Sequence, residues 1–260
     1  MTGIVDRFDL KGRVALVIGG TSGIGHAIAI GLADAGADVV ASSRRIREVA
    51  AVAKQIRDKG RRSLEIASNV LERGTLEYLY AQTIAAFGKV DILVNAAGTT
   101  KRLPTLEMPE TTWRAIIQTN LTGMLRTCQI VAPGMVRQGW GRIINVASLA
   151  TFVAFLEVAA YGVSKAGVGA LTRSLALELA QHSVCVNAIA PGFFPTELNQ
   201  ALLENTPRGR EVLMRTPMQR YGRPEELAGA AVFLASESAS FMTGQILAVD
   251  GGYLASGVNQ

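Results

Sequence analysis

Short apolar runs alternate with longer segments of helical periodicity along the chain. The apolar runs are almost free of polar residues, as expected for parallel strands that are buried on both faces of a sheet. We predict strands at Arg13–Ile18, Asp38–Ser42, Ser63–Ala67, Val90–Asn95, Arg142–Val146, Val184–Ala190 and Gln245–Val249. We predict helices at about Gly23–Ala35, Ile46–Lys59, a segment ending near Phe87, Pro109–Gln138 and Val158–Ala180. The pattern indicates an α/β fold, a doubly wound parallel sheet of about seven strands with helices on both faces.

The alternation continues without a linker, a repeat or a low-complexity tract, so we predict one domain over residues 1–260. Gly123 and Pro133 lie within the predicted Pro109–Gln138 helix, which we expect to bend or end early. Residues 192–223 form the one long stretch without a clear pattern, and they are rich in proline. Such an excursion in a compact domain is typical of a substrate loop.

Composition narrows the function classes. Of the 260 residues, 49% are hydrophobic and only 18% are charged, and the formal net charge is +5. This mild excess suits an anionic ligand, but the basic residues form no long stripe and no nucleic-acid reader motif, so no nucleic-acid partner is expected. The low charged fraction leaves apolar surface that a subunit interface would cover.

Metal sites, disulfides and membrane segments are not expected. The only cysteines, Cys128 and Cys185, lie in separate apolar stretches, and there are two histidines. Residues 1–12 carry charges and lack the apolar core of a signal peptide. No apolar run reaches the roughly 20 residues of a membrane span. We therefore expect a soluble, cytoplasmic protein with reduced thiols and no metal.

A glycine-rich turn connects the first predicted strand to the first helix. It reads Gly19-Gly20-Thr21-Ser22-Gly23-Ile24-Gly25. Glycines allow a tight turn and let backbone N–H groups approach a pyrophosphate, which the helix N-terminus also attracts. A glycine turn alone is weak evidence, but this position between a strand and a helix predicts a dinucleotide site.

The end of the second strand indicates which dinucleotide would bind. The chain there reads Ser42-Ser43-Arg44-Arg45, without the carboxylate that binds the adenosine 2′-hydroxyl of NAD. Arg44 is placed to pair with the 2′-phosphate of NADP, so we predict a preference for NADP(H) over NAD(H). The alternative is that Arg44 only opens a solvated helix.

Three residues form a candidate catalytic constellation. Tyr161 and Lys165 are separated by four positions and therefore share one helix face. A nearby ammonium is expected to lower the pKa of the phenol, which would make the pair a general acid/base. Ser148 follows a strand, where its hydroxyl is placed to polarise a carbonyl. Singly, Tyr161 reads equally well as a core residue and Ser148 as a helix cap.

With these motifs, the whole chain resembles the short-chain dehydrogenase/reductase family, which has a Rossmann-type sheet. The glycine turn matches, Asn95-Ala96-Ala97-Gly98 is similar to the family's Asn-Asn-Ala-Gly element, and Val249–Gly252 is typical. The resemblance implies a catalytic tetrad of Asn120, Ser148, Tyr161 and Lys165. Tyr161 would exchange a proton with the substrate oxygen, Lys165 would lower its pKa and bond the nicotinamide ribose, and Asn120 would hold a water.

The resemblance also implies the cofactor site. Besides Tyr161 and Lys165, the expected contacts are Gly19, Thr21, Ser22, Gly23, Ile24, Gly25, Ser43, Arg44, Asn69, Val70, Asn95, Ala96, Ala97, Gly98, Pro191, Gly192, Phe194 and Thr196. Three positions depart from the family: Ile18 stands for a usual Thr, Ala96 for the second Asn, and Asn69 for an Asp that commonly contacts adenine. These departures affect cofactor geometry rather than the chemistry.

The substrate is expected to be a small carbonyl or alcohol compound. Candidate contacts are Lys101, Arg102, Leu149, Phe155 and Phe193, and the two cations would capture a carboxylate or else remain solvated. Several stretches resemble the gluconate 5-dehydrogenase and deoxygluconate dehydrogenase branch, which favours a sugar acid or polyol.

The alternatives are a 3-oxoacyl-carrier-protein reductase, a steroid or xenobiotic ketone reductase, and a non-catalytic NADPH-binding sensor. All four residues of the implied tetrad are present, which disfavours the non-catalytic sensor. The resemblance further implies a homotetramer.

Overall fold

The computed structural model describes residues 3–196, 200–203 and 205–257. Its centre is a sheet of parallel strands in the order β2-β1-β3-β4-β5-β6. The strands are β1 Val14–Ile18, β2 Asp38–Ser42, β3 Ile92–Asn95, β4 Gly141–Val146, β5 Val184–Pro191 and β6 Ile246–Val249. Strands β1, β3, β4 and β5 are buried along their whole length, which explains their nearly continuous apolar sequence.

The helices cover both faces of the sheet. They are α1 Gly23–Asp34, α2 Ile46–Asp58, α3 Arg73–Phe87, α4 Glu110–Ile117, α5 Gly123–Gln138, α6 Ala159–Leu179, α7 Gln200–Leu203, α8 Pro207–Arg215 and α9 Glu225–Ala235. Apolar residues of α1, α2 and α9 pack on one face, and those of α3, α5 and α6 pack on the other. The predicted doubly wound α/β fold is confirmed.

The sheet has six strands in the described residues, so the predicted strand at Ser63–Ala67 is wrong. This segment runs beside β2 but makes only isolated backbone bonds with that side of the sheet, from Val39 N to Arg62 O (3.1 Å) and from Ser68 N to Ser43 O (2.9 Å). Side chains bond backbone groups that would pair with β2 in a regular ladder: the Asp38 carboxylate accepts from Arg62 N, and the Ser42 hydroxyl donates to Ile66 O. The segment therefore lies along the edge without becoming a strand.

Two other predicted segments differ in detail. The Pro109–Gln138 helix is interrupted by a π-helical turn at Gln118–Thr122, whereas Pro133 lies within the continuous helix α5. Residues 192–223 contain α7 and α8, so they are not irregular throughout. Thr206 is the N-cap of α8: its hydroxyl accepts from Gly209 N, and a proline occupies the first turn of the helix.

Candidate active site

Three of the predicted catalytic side chains meet where β4 ends. Ser148 follows β4 and caps a short 3₁₀ turn by accepting a hydrogen bond from Ala150 N. Helix α6 carries Tyr161 and Lys165 one turn apart, and the Lys165 Nζ donates to Val146 O at 2.7 Å. The Ser148 hydroxyl lies close enough to the Tyr161 phenol to lower its pKa. The carboxyl edge of the sheet thus gathers a hydroxyl, a phenol and an ammonium.

The Tyr161 phenol is a weaker acid than its free counterpart. Burial raises the pKa of Tyr161, and the nearby Ser148 hydroxyl only partly opposes this effect. The Lys165 Nζ lies 5.7 Å from the centroid of the Tyr161 ring and bonds the β4 backbone instead. The expected lowering of the Tyr161 pKa by Lys165 is therefore wrong for the protein alone, because desolvation is the larger effect.

Lys165 is also shifted by burial. Its side chain is buried at the base of the site, and desolvation lowers the pKa of Lys165 to about 8. The ammonium still carries its proton at neutral pH, and the carbonyl of Val146 is its described hydrogen-bond acceptor. The site therefore holds a positive charge beside a neutral phenol.

Asn120 lies in the π-helical turn and is fully buried. Its Oδ1 accepts from Thr99 N at 2.8 Å, and its Nδ2 donates to Thr99 O at 2.9 Å and to the Ser164 hydroxyl at 3.0 Å. Ser164 in turn donates to Tyr161 O. Asn120 thus connects the loop after β3 to the helix that carries Tyr161. A π-turn inside a helix is often found at a functional site.

The glycine turn packs closely against the loop after β3. Gly19 has a φ of +78°, and a β-carbon added there would lie 2.6 Å from Ala97 N. A β-carbon at Gly25 would lie 2.1 Å from Gly19 O, so both positions require glycine. Ser22 is the N-cap of α1 but its side chain makes no capping bond. The first N–H groups of α1 are therefore open to an anionic ligand.

A groove of about 490 Å³ borders this turn. Thr21, Ser22 and Gly23 form one side, and Pro195 and Thr196 form another. A β-carbon at Gly23 would lie 3.2 Å from the Thr196 methyl, so the two sides approach closely. Ile24 packs against the core on the α1 side of the sheet. The predicted contacts from the turn and from Thr196 are thus neighbours.

The end of β2 presents the predicted adenosine contacts. Thr21 donates to the Ser43 hydroxyl at 2.8 Å, which joins the glycine turn to the segment after β2. Arg44 is exposed and makes no ion pair with any described residue, whereas the neighbouring Arg45 pairs with Glu48. Arg44 is therefore available to a ligand.

Asn69 and Val70 are less available to a ligand than Arg44. The Asn69 side chain donates to Glu72 at 2.7 Å and accepts from Leu71 N at 3.1 Å, so it shapes the approach to α3. Val70 is buried, and a β-carbon at Gly123 would lie 2.8 Å from its Cβ. The two bonds use one N–H and one lone pair of the Asn69 amide, so one donor and one acceptor of this side chain remain.

The Asn95–Gly98 element divides into two parts. Asn95 is buried in a polar network, donating to Asn145 Oδ1 at 3.0 Å and accepting from Thr127, so its side chain braces β3 against β4. The backbone of Ala96 bonds Ile18 O and that of Ala97 lies against Gly19. A β-carbon at Gly98 would lie 3.8 Å from Lys165 Nζ, which places this glycine at the site.

The end of β5 is pressed against the end of β6. Gly192 N donates to Val249 O, and a β-carbon at Gly192 would lie 2.7 Å from the Asp250 Cα. Pro191 is the last residue of β5. The Phe194 side chain is buried in the core and would collide with any side chain at position 222. Only the Phe194 backbone can therefore face a cofactor.

The predicted substrate residues are only partly brought together. Phe155 and Phe193 contact each other edge to face, with centroids 5.7 Å apart. Leu149 is buried, so the structure does not bring its side chain to the surface of the site. The Arg102 guanidinium pairs with the Glu157 carboxylate at 2.6 Å, so it is not the free cation that was expected. Lys101 is exposed beside it.

Several residues at the site were missed in the sequence. Asn145 and Thr172 extend the network around Asn95, in which burial raises the pKa of the Cys128 thiol to about 12. The signal for Asn145 was available, because it is a polar residue inside an apolar strand. Tyr253 and Glu157 gave no local signal, since their contacts come from distant parts of the chain.

No metal-binding group of three His, Cys, Asp or Glu side chains occurs in residues 3–196, 200–203 and 205–257. Within the same ranges, every helix is too short or too polar to cross a bilayer.

Comparison with known proteins places these features in context. A family model described as enoyl-(acyl carrier protein) reductase matches residues 19–254. The 2-dehydro-3-deoxy-D-gluconate 5-dehydrogenase of Dickeya dadantii (strain 3937) is 40% identical over 253 residues, which are 97% of this chain and 99% of that protein. A 3-oxoacyl-[acyl-carrier-protein] reductase of Thermotoga maritima is 36% identical, with 94% of this chain and 98% of that protein covered. The crystal structure of a gluconate 5-dehydrogenase from Burkholderia cenocepacia J2315 in complex with NADP and tartrate has a TM-score of 0.94, 37% identity, and coverage of 98% of this chain and 100% of that chain.

Proposed function

Since the chain belongs to the short-chain dehydrogenase/reductase family and is an oxidoreductase acting on CH–OH groups, we propose that it interconverts a sugar acid and its keto derivative with NADP(H). The observation that carries this proposal is the meeting of Ser148, Tyr161 and Lys165 at one sheet edge, next to the glycine turn. The substrate class is supported by the activities for which the relatives in Dickeya and Burkholderia are named.

The residues around the glycine turn fit a dinucleotide. The uncapped N-terminus of α1 offers N–H groups to a pyrophosphate, and Gly19 and Gly25 allow close backbone approach. Arg44 is exposed without an ion-pair partner among the described residues, which supports a bond to the 2′-phosphate of NADP. When bound, the nicotinamide supplies or accepts the hydride.

The chain's own residues manage the proton. The raised pKa of Tyr161 keeps the phenol protonated at neutral pH, so it is ready to donate a proton to the oxygen of a ketone. Ser148 donates a hydrogen bond to the same oxygen and holds it beside the phenol. The Lys165 ammonium stabilises the phenolate left behind, and in alcohol oxidation the phenolate takes the proton back.

Asn120 acts mainly as a positioning residue in this scheme. Thr99 and Ser164 use both donors of its amide and one lone pair of Oδ1, so a water linking Lys165 to solvent would have only the second lone pair or the backbone of the π-turn. Its bonds hold the Thr99 loop and α6 at a fixed distance.

One assay distinguishes the sugar acid from the runner-up substrate. NADP(H) absorbance is followed with aldonates and keto-aldonates in one set and 3-oxoacyl thioesters in the other. We expect turnover of the first set. Turnover of the thioesters alone would favour a 3-oxoacyl-carrier-protein reductase, which the relative in Thermotoga and the net charge of +5 also fit.

The tyrosine variant tests the chemistry itself. Tyr161→Phe should lower turnover by roughly 10²–10⁴ because the proton donor is lost. Binding of NADPH, followed by its fluorescence, should change little. A near-normal rate in this variant would refute the assignment, and tight NADPH binding by wild type without turnover of either set would favour a non-catalytic sensor.

We also propose a cytoplasmic homotetramer with a small-molecule substrate and no nucleic-acid partner. The exposed face of α6 includes Val163 and Leu177, of which 50% and 83% are exposed. Apolar side chains along one helix face support a subunit interface there. Cys128 and Cys185 are free and buried, which supports a reducing compartment. We expect light scattering after size exclusion to give four times the mass of 27.5 kDa.

In the same proposal, residues 1–260 act as one catalytic domain, and the segment at about 192–223 is its substrate loop. The contact of Phe193 with Phe155 supports this role, because it joins the start of that segment to the loop between Ser148 and Tyr161.

A further inference from the structure

Three aromatic rings contact one another near the carboxyl edge of the sheet. Phe155 lies in the segment that precedes α6, Phe193 follows β5, and Tyr253 follows β6. The ring centroids are 5.7 Å apart for Phe155 and Phe193, 5.4 Å for Phe193 and Tyr253, and 6.2 Å for Phe155 and Tyr253. We call these three residues the aromatic wall. Each ring is fixed near the carboxyl end of the sheet, where the catalytic side chains also lie.

A cation lies over the aromatic wall. The Arg215 guanidinium, at the end of α8, is 5.1 Å from the centroid of the Tyr253 ring. Tyr253 is buried, and burial raises the pKa of its phenol while the nearby Arg215 opposes this effect. The Arg215 side chain is exposed and has no ion pair within the part of the chain that the structure describes. Its charge is therefore available to an anionic ligand.

The backbone holds this cation in place. Met218 N donates to Gly251 O at 3.1 Å, and a β-carbon at Gly251 would lie 2.9 Å from the Thr216 methyl. The next glycine, Gly252, is equally close to Pro217. The end of α8 is thus packed against the turn after β6, which also carries Tyr253. A guanidinium that stacks on a fixed ring loses little freedom when it binds an anion.

Two other cations, Arg102 and Lys101 in the loop after β3, are less suited to this task. Arg102 is already neutralised by Glu157 at 2.6 Å, and a ligand would have to displace that carboxylate. The same acidic residue also accepts a backbone bond from Leu103, which fixes it beside Arg102. Lys101 is exposed next to this pair.

We propose that Arg215, stacked on Tyr253, forms the subsite that binds the carboxylate of an acid substrate. This inference rests on the proposed oxidoreductase function at the Tyr161 site. The planar guanidinium presents two parallel N–H donors to a carboxylate, and the aromatic wall lies alongside the carbon chain between that carboxylate and the reacting carbon. The subsite makes the enzyme selective for acids over neutral polyols of the same length.

The test compares D-gluconate with D-glucitol, its neutral polyol counterpart, in wild type and in Arg215→Gln. We expect the variant to raise KM for D-gluconate about tenfold or more, as lost hydrogen bonds to a charged group imply, and to leave kcat within about twofold. KM for D-glucitol should not change. Arg210→Gln is the matched control, because it removes the same charge from another face of α8.

Ligand-observed NMR on the NADP-loaded protein provides a readout that does not depend on turnover. Saturation transfer to D-gluconate should be lost in Arg215→Gln and kept in Arg210→Gln. If wild type oxidises D-gluconate and Arg215→Gln retains its KM and its NMR signal, the subsite is overturned and the proposed function stands. If wild type oxidises no sugar acid, the proposed function fails, and equal NMR signals in the two variants would overturn the subsite as well.

Discussion

Replacing the buried lysine of the active site should stabilise the protein while abolishing its activity. Lys165 is buried, and desolvation lowers its pKa from the ordinary value of 10.5 to about 8. This difference corresponds to about 3 kcal/mol, the cost of keeping the ammonium charged in the folded protein at neutral pH. Lys165→Met removes that cost and keeps the volume of the side chain. It also loses the hydrogen bond to Val146 O, worth about 1 kcal/mol.

The expected net gain at pH 7 is about 2 kcal/mol, or a rise in Tm of about 4–8 °C for a protein of this size. The gain depends on pH in a defined direction. Below about pH 8 the lysine is charged in both the folded and the unfolded state, so the wild-type protein bears the full cost. Between about pH 8 and 10.5 the unfolded state binds more protons, so wild-type stability rises relative to the variant.

The assay is urea unfolding of cofactor-free wild type and Lys165→Met at pH 7, 9 and 10.5. Lys54→Met is the control, because Lys54 is exposed on α2 and pairs with the exposed Asp58, so its loss should change stability by less than about 0.5 kcal/mol. A variant that is no more stable than wild type at pH 7, or whose advantage is constant across this range, would refute the reasoning from burial.

Three further substitutions test other parts of the site. Gly19→Ala should lose about 2 kcal/mol or more of stability and weaken NADPH binding, measured by unfolding and fluorescence titration, because φ is +78° and Ala97 leaves no room. Arg44→Asp should weaken NADPH far more than NADH in titrations, and equal losses would contradict a 2′-phosphate contact. Asn120→Ala should lower the Tm by several degrees, because the backbone N–H and C=O of Thr99 each lose their hydrogen bond to the Asn120 side chain. An unchanged Tm would show that this link is dispensable.

The layered fold was predictable because β1, β3, β4 and β5 are buried along their whole length and are therefore almost continuously apolar. The π-turn at Gln118–Thr122 was not, since its sequence fits a continuous helix and the bonds of Asn120 to Thr99 join it to a distant loop. The Ser63–Ala67 segment has a strand-like composition, but side-chain bonds replace its ladder. Local pattern cannot reveal which partner satisfies a backbone group.

The grouping of three candidate catalytic side chains was predictable from spacing, since Tyr161 and Lys165 share a helix face and Ser148 follows a strand. Their electrostatics were not predictable. Proximity in sequence indicated a lowered pKa for Tyr161, whereas burial in three dimensions raises it. The pairing of Arg102 with Glu157 joins residues 55 positions apart, so no local pattern could show that this cation is engaged.

The irregular segment beside β2 has a consequence for the behaviour of the protein at high concentration. An uncovered edge strand is a template for pairing with another molecule. Here Arg62 O and Ser43 O are already bonded across this edge, and the Ser42 hydroxyl takes Ile66 O. Some backbone donors and acceptors of the segment are therefore occupied, and Arg62 stands at its start. The segment adds no strand, but we expect it to protect this side of the sheet from pairing with another molecule.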